Sequence, residues 1–171
     1  MARTVGGIRP NAVWLNETGN SPGGWGHSAS APVADVTDGA DATYAYNPVN
    51  YPGYGGTSNE RYVLYVPLSG VPTNRSVVVR AVTFWSRYNT DNYNFQSQIY
   101  NGTTLVSAQG FVGNGWQAHT WIPGGMVWTA DLDLRVGWQV FGIPWGPQFF
   151  RVNECYVDIT YDYSSRISMI I

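Results

Sequence analysis

Apolar and polar residues alternate along this chain with a period of two, and no segment sustains the period of a helix. Over residues 131–140, Leu132, Leu134, Val136, Trp138 and Val140 alternate with Asp131, Asp133 and Arg135, which predicts a strand with one face in a core and a polar face in water. Over residues 155–162, Cys155, Val157, Ile159 and Tyr161 alternate with Asp158, Thr160 and Asp162. Residues 76–88 carry apolar side chains on both faces, with Val77, Val79, Ala81 and Trp85 on one and Val78, Val82 and Phe84 on the other, as a central strand does. Weaker alternation at 11–15, 42–46, 61–67, 94–100, 104–110 and 116–121 brings the total to about eight or nine strands. Turn clusters separate them: NG at 101–102, GNG at 113–115 and PGG at 123–125. The pattern predicts an all-β fold, an antiparallel β-sandwich of jelly-roll type, and the lack of an internal repeat argues against a propeller or solenoid. Trp85 and Trp138 are expected in its core, and His119 on the polar face of its strand beside Gln117.

Three segments fall outside the alternation. Residues 1–10 read as a short, partly basic N-terminal arm, and residues 164–171 as an apolar C-terminal tail, leaving 11–163 as the sandwich domain. The tail ends in Ile167, Met169, Ile170 and Ile171, side chains worth roughly 1.5–3 kcal/mol each when buried, so it is expected to form a last edge strand or to dock on a partner. Between them, residues 47–60 form a long loop whose Tyr51 and Tyr54 offer rigid contact area at small entropy cost.

Composition shifts the expectation from chemistry to contact. The chain has eight Trp, twelve Tyr and six Phe, but only two His, one Cys and no Lys. General bases, nucleophiles and metal ligands are drawn mostly from the scarce set, whereas aromatics supply contact area. Charged residues are 12%, about half the usual share, and the formal charge is −2 without a basic run, which argues against nucleic acid. No apolar run spans a membrane, and MARTVGGIRP has no secretory h-region. Cys155 has no partner for a disulfide and reads as a buried thiol. Asp35, Asp38 and Asp41 are spaced unlike an EF-hand and serve turns as well as a metal would, so no metal or cofactor is expected. Asp131 with Asp133, isolated Glu60 and Glu154, and His27 and His119 without a nucleophile motif provide no catalytic set, so no enzyme is expected. Trp25, Trp116, Trp121 and Trp145 are candidate exposed indole platforms for a glycan.

The order of segments resembles the jelly-roll domains of tailed-phage virion proteins of head-decoration or minor-tail type. The matching pieces are VTDGADATYAY, RSVVVRAVTFWSRY, FQSQIYNGTTLVSA, WQAHTWIPGGMVWTADLDLRVGWQV and RVNECYVDITYDY, covering about residues 35–163. The resemblance implies a non-enzymatic structural protein at the virion surface, assembled in the host cytoplasm, and a chain so nearly confined to one domain fits a capsid decoration subunit. Its implied partners are capsid protein and copies of itself, met through Tyr51, Tyr54, Ile167, Met169, Ile170 and Ile171. A carbohydrate-binding module and a tail or receptor-binding component stay open as alternatives.

Overall fold

In the computed structural model, the residues described are 1–17, 26–27, 33–39, 43–49, 60–68, 70–72, 77–89, 95–110, 113–124, 127–128, 132–141 and 148–163. They form twelve strand segments and one 3-10 turn, Ala34–Val36. The strands are β1 (Arg3–Ile8), β2 (Ala12–Asn16), β3 (Gly26–His27), β4 (Ala45–Val49), β5 (Glu60–Tyr65), β6 (Val77–Tyr88), β7 (Phe95–Asn101), β8 (Thr104–Gly110), β9 (Gly115–Trp121), β10 (Val127–Trp128), β11 (Leu134–Val140) and β12 (Gln148–Tyr163). All pairings are antiparallel, in a seven-stranded and a five-stranded sheet.

The chain crosses between the sheets in jelly-roll order. The large sheet holds β4, β12, β6 and β9 side by side, and the small sheet β5, β11, β7 and β8. Each sequence-predicted strand lies within or beside one of these or β2. Three short strands without a period-two signal, β1, β3 and β10, extend the large sheet. The turn residues act as expected: Gly102, at φ +59°, closes the β7–β8 hairpin, a conformation that favours glycine.

Between the sheets lies one apolar core built from Tyr62, Leu64, Phe84, Ile99, Val136, Trp138, Val157 and Ile159, among others. Its shape depends on two bulges in the long β6–β12 ladder. Arg80 is an extra residue on β6 between the pairs Ala81–Thr160 and Val79–Tyr161, and Asn153 an extra one on β12 between Val152–Tyr88 and Glu154–Arg87. One unpaired residue turns every later side chain to the other face. The inward set on β6 is therefore Val77 and Val79, then Val82, Phe84, Ser86 and Tyr88. This reverses the expected place of Trp85, which lies on the outer face; Trp138 is in the core as expected.

Residues 1–10, expected as an arm, contain β1, which pairs with β12 from Arg3–Tyr161 to Ile8–Val157. The glycine pair that masks this strand in the sequence is what lets it fit. Gly7 adopts φ +69°, its N–H donates to Asp158 Oδ1 at 2.8 Å, and a Cβ on Gly6 would come within 3.0 Å of that same oxygen. Gly7→Ala is expected to cost about 1 kcal/mol through the left-handed backbone alone, since open space surrounds the position. A lower urea midpoint at unchanged m-value checks this, and an unchanged midpoint refutes it.

Candidate functional site

The outer face of the large sheet carries a row of aromatic side chains. Trp85 on β6 and Tyr156 on β12 are directly paired, with ring centroids 5.9 Å apart and planes 20° from parallel. Trp116 on β9 is paired with Arg87, and its ring lies 5.3 Å from that of Tyr156. Strands β9 and β12 are two positions apart, roughly 9.6 Å at normal strand spacing, so these two rings lean toward each other over β6. Trp116 remains 43% exposed.

Asp158 fixes one side of the row. Its Oδ2 accepts from the Trp85 indole N–H at 2.9 Å and its Oδ1 from the Gly7 amide. Beside it run threonines paired across strands, Thr83 with Thr120 at 3.0 Å and Thr4 with Thr160 at 3.2 Å. The neighbouring carboxylates are held by cations. Glu154 accepts from Arg9 at 2.9 Å, and Asp162 from Arg80 at 2.9 Å with the N-terminal amine 3.6 Å away. Burial pushes the Glu154 carboxyl up, against the pull of Arg9, while Arg80 and the N-terminal amine hold Asp162 below its usual range.

The expected indole platforms are redistributed. Trp116 is on the open face, but Trp121 is paired with Val82 on the inward side and packs against the core. Trp25 and Trp145 lie outside the described residues, as do Tyr51, Tyr54, Ile167, Met169, Ile170 and Ile171. Two platform residues, Trp85 and Tyr156, were not candidates from the sequence. Their signal was pairing between strands some seventy residues apart, visible only once β6 and β12 are in register.

His119 is inside the sandwich and not on a polar face. It is 3% exposed, with Ser97 Oγ 2.9 Å from Nδ1 and Ser107 Oγ 2.8 Å from Nε2. Burial lowers its pKa to about 4. A cavity of about 10 Å³ adjoins it, lined by Tyr88, Phe95, Ser97, Gln109, Gln117 and neighbouring backbone, room for about one water. A Ser–His contact of this kind resembles half of a nucleophilic triad, but a base needs a pKa near the working pH and a substrate needs more space. His119 instead ties the edge strand β9 to β7 and β8 across the sandwich.

The outer face of the small sheet is a polar cluster, not a water-facing strand. Arg135 is 8% exposed, paired with Asp133, and its guanidinium lies 4.1 Å from the Trp14 ring centroid and 4.8 Å from that of Tyr65. Gln98 donates to Gln139 at 2.6 Å and accepts from Tyr100, while Arg61 makes a forked pair with Glu17 at 3.0 and 2.6 Å. The polar side of β11 is covered because β11 is the central strand and Trp14, from β2, reaches across to it.

The remaining candidates have structural roles where they are described. Cys155 is fully buried and burial pushes its thiol up, as suits an inert side chain. Asp38 accepts from Thr43 at 2.7 Å, and no cluster of metal-ligating side chains occurs among the described residues. No described helix is long and apolar enough to cross a membrane.

No family model matches the chain, and no curated protein is significantly similar in sequence. Among solved structures, the chain is similar to the K1 cleaved adhesin domain of Lys-gingipain from Porphyromonas gingivalis, at 14% identity and TM-score 0.45, covering 92% of this chain and 97% of that one. It is also similar to a CBM4 chain, at 17% identity and TM-score 0.39, covering 85% and 92%. At these values the likeness is confined to chain layout.

Proposed function

We propose that this chain is a non-enzymatic contact domain, a virion-surface jelly roll of head-decoration type that binds a capsid lattice. The observation that supports contact over catalysis is the outer face of the large sheet. It offers aromatic area while Asp158, Glu154 and Asp162 are each held by N–H or guanidinium donors. The low charge of the chain suits an obligate, largely hydrogen-bonded contact. Attachment runs through the Tyr51/Tyr54 loop and the Ile167–Ile171 tail.

Purified protein added to particles that lack it should saturate at a lattice-like number of copies per particle. A chain shortened by the five residues 167–171 should attach at least tenfold more weakly with its melting curve unchanged. A handful of copies assigns the protein to the tail. Absence of binding removes the virion reading.

A further inference from the structure

We propose that the Trp116–Tyr156–Trp85 face of the large sheet is a binding site for an uncharged glycan. The proposal rests on reading the domain as a contact module, and it adds the ligand class.

Area decides first between a sugar and a protein. Trp116 is 43% exposed and its two partners are half-buried, so with a full aromatic side chain worth roughly 150–250 Å² the open aromatic surface is roughly 200 Å². A stable protein interface needs about 800 Å² on each partner, with an apolar centre. The side chains that neighbour the rings across the strands are Arg87, Ala118, Thr83, Thr120 and Asp158, so the patch does not grow into such a centre. It matches one or two sugar rings.

The chemistry points the same way. One face of a pyranose is a sheet of C–H groups, weakly positive, and it stacks on the negative face of an indole ring, while hydroxyls project from its rim. Trp116 leans over β6 and supplies that ring. One row further along the strands, two residues past Trp85 and Tyr156, Thr83, Thr120 and Asp158 offer polar partners to a second ring. The hydrogen-bonded threonine pair keeps one O–H to donate and lone pairs to accept, and Asp158 keeps lone pairs after accepting one N–H on each oxygen. Trp85 is a positioning residue: its indole N–H orients Asp158, and its ring backs Tyr156. Arg9 and Arg80 pair with Glu154 and Asp162, and Arg87, beside Trp116, is offset in number by Asp158, so the described side chains of this face carry no net positive charge to select an anionic sugar.

Affinity electrophoresis through soluble β-glucan, mannan and galactan, with alginate as the anionic control, tests this on the full chain. At least one neutral polysaccharide should retard the protein while alginate does not. Trp116→Ala should weaken the retardation tenfold or more with an unchanged melting curve, and Trp116→Phe should recover part of it. Trp85→Phe, which keeps a ring but removes the N–H to Asp158, should weaken binding less than Trp116→Ala. Retardation by none of the neutral polymers, retardation by alginate alone, or full binding by Trp116→Ala overturns the glycan assignment. The particle assay separates the two readings. Lattice-like saturation by a protein that no glycan retards leaves the contact module standing without its sugar, and Trp116-dependent particle binding reassigns the face to a protein partner. Glycan binding without particle binding removes the virion reading alone.

Discussion

Trp138→Ala is expected to destabilise the domain by about 3–5 kcal/mol, the range for deleting a large buried aromatic. Trp138 is fully buried at the centre of the small sheet, its ring 5.3 Å from Phe84 of the opposite sheet and stacked 6.2 Å from Tyr62. Its indole N–H also donates to Ser86 and to Tyr88, each at 3.2 Å. Alanine leaves a cavity and two buried hydroxyls short of a donor. Collapse is hindered because the strand cannot shift: a Cβ on adjacent Gly137 would overlap the Tyr62 carbonyl and lie 2.7 Å from Val63 Cα, so β11 and β5 are already at closest approach. Trp138→Phe, which fills most of the space and loses only the N–H, should cost about 1–3 kcal/mol. Urea titration of the two variants checks both values, and a loss under 1 kcal/mol for the alanine variant contradicts this account of the core.

Acid is expected to loosen the seam between β9 and the small sheet. The buried imidazole of His119 has a pKa of about 4 against about 6.5 when unfolded. A lowered folded pKa means the unfolded chain binds the proton first, so this contribution is flat above pH 6.5 and falls as pH drops toward 4. The loss amounts to about 2 kcal/mol at pH 5 and about 3 kcal/mol at pH 4. The side chains facing the ring are Ser97, Ser107, Gln109, Gln117 and Tyr88, and none supplies a negative charge at these pH values to offset the imidazolium. Glu154, whose pKa is raised, and Asp162, whose pKa is lowered, also titrate in acid, so the His119 share is read by difference. His119→Gln keeps hydrogen-bonding capacity toward both serines and cannot take the proton. Its stability should fall less than wild type between pH 7 and 4.5, and parallel curves for the two proteins would falsify the assignment.

Part of the site was legible in the sequence. Trp116 and Trp121 are five positions apart in one strand, so period two alone puts them on opposite faces, and His119 necessarily shares the face of Trp121. Which face is the core was not legible, because Gln117 and His119 look like surface residues until Ser97 and Ser107 arrive from other strands to satisfy the ring. Trp85 lies outside the core for a different reason. Its alternation with Val77 and Val79 is genuine in the sequence, and Arg80 breaks it without any local sign. Strand β1 was hidden because its fit depends on Gly6 and Gly7 meeting Asp158, a residue 151 positions from Gly7.

The sequence by itself determined an all-β chain, the positions of its main strands and the turns between them, since strand period and turn chemistry are local properties of backbone and side chain. The tertiary structure decided which side of each strand faces the core and which aromatics meet outside it. Both depend on the β6–β12 register and its two bulges, and register is set by the packing of the whole sandwich, with a single extra residue enough to exchange inside for outside.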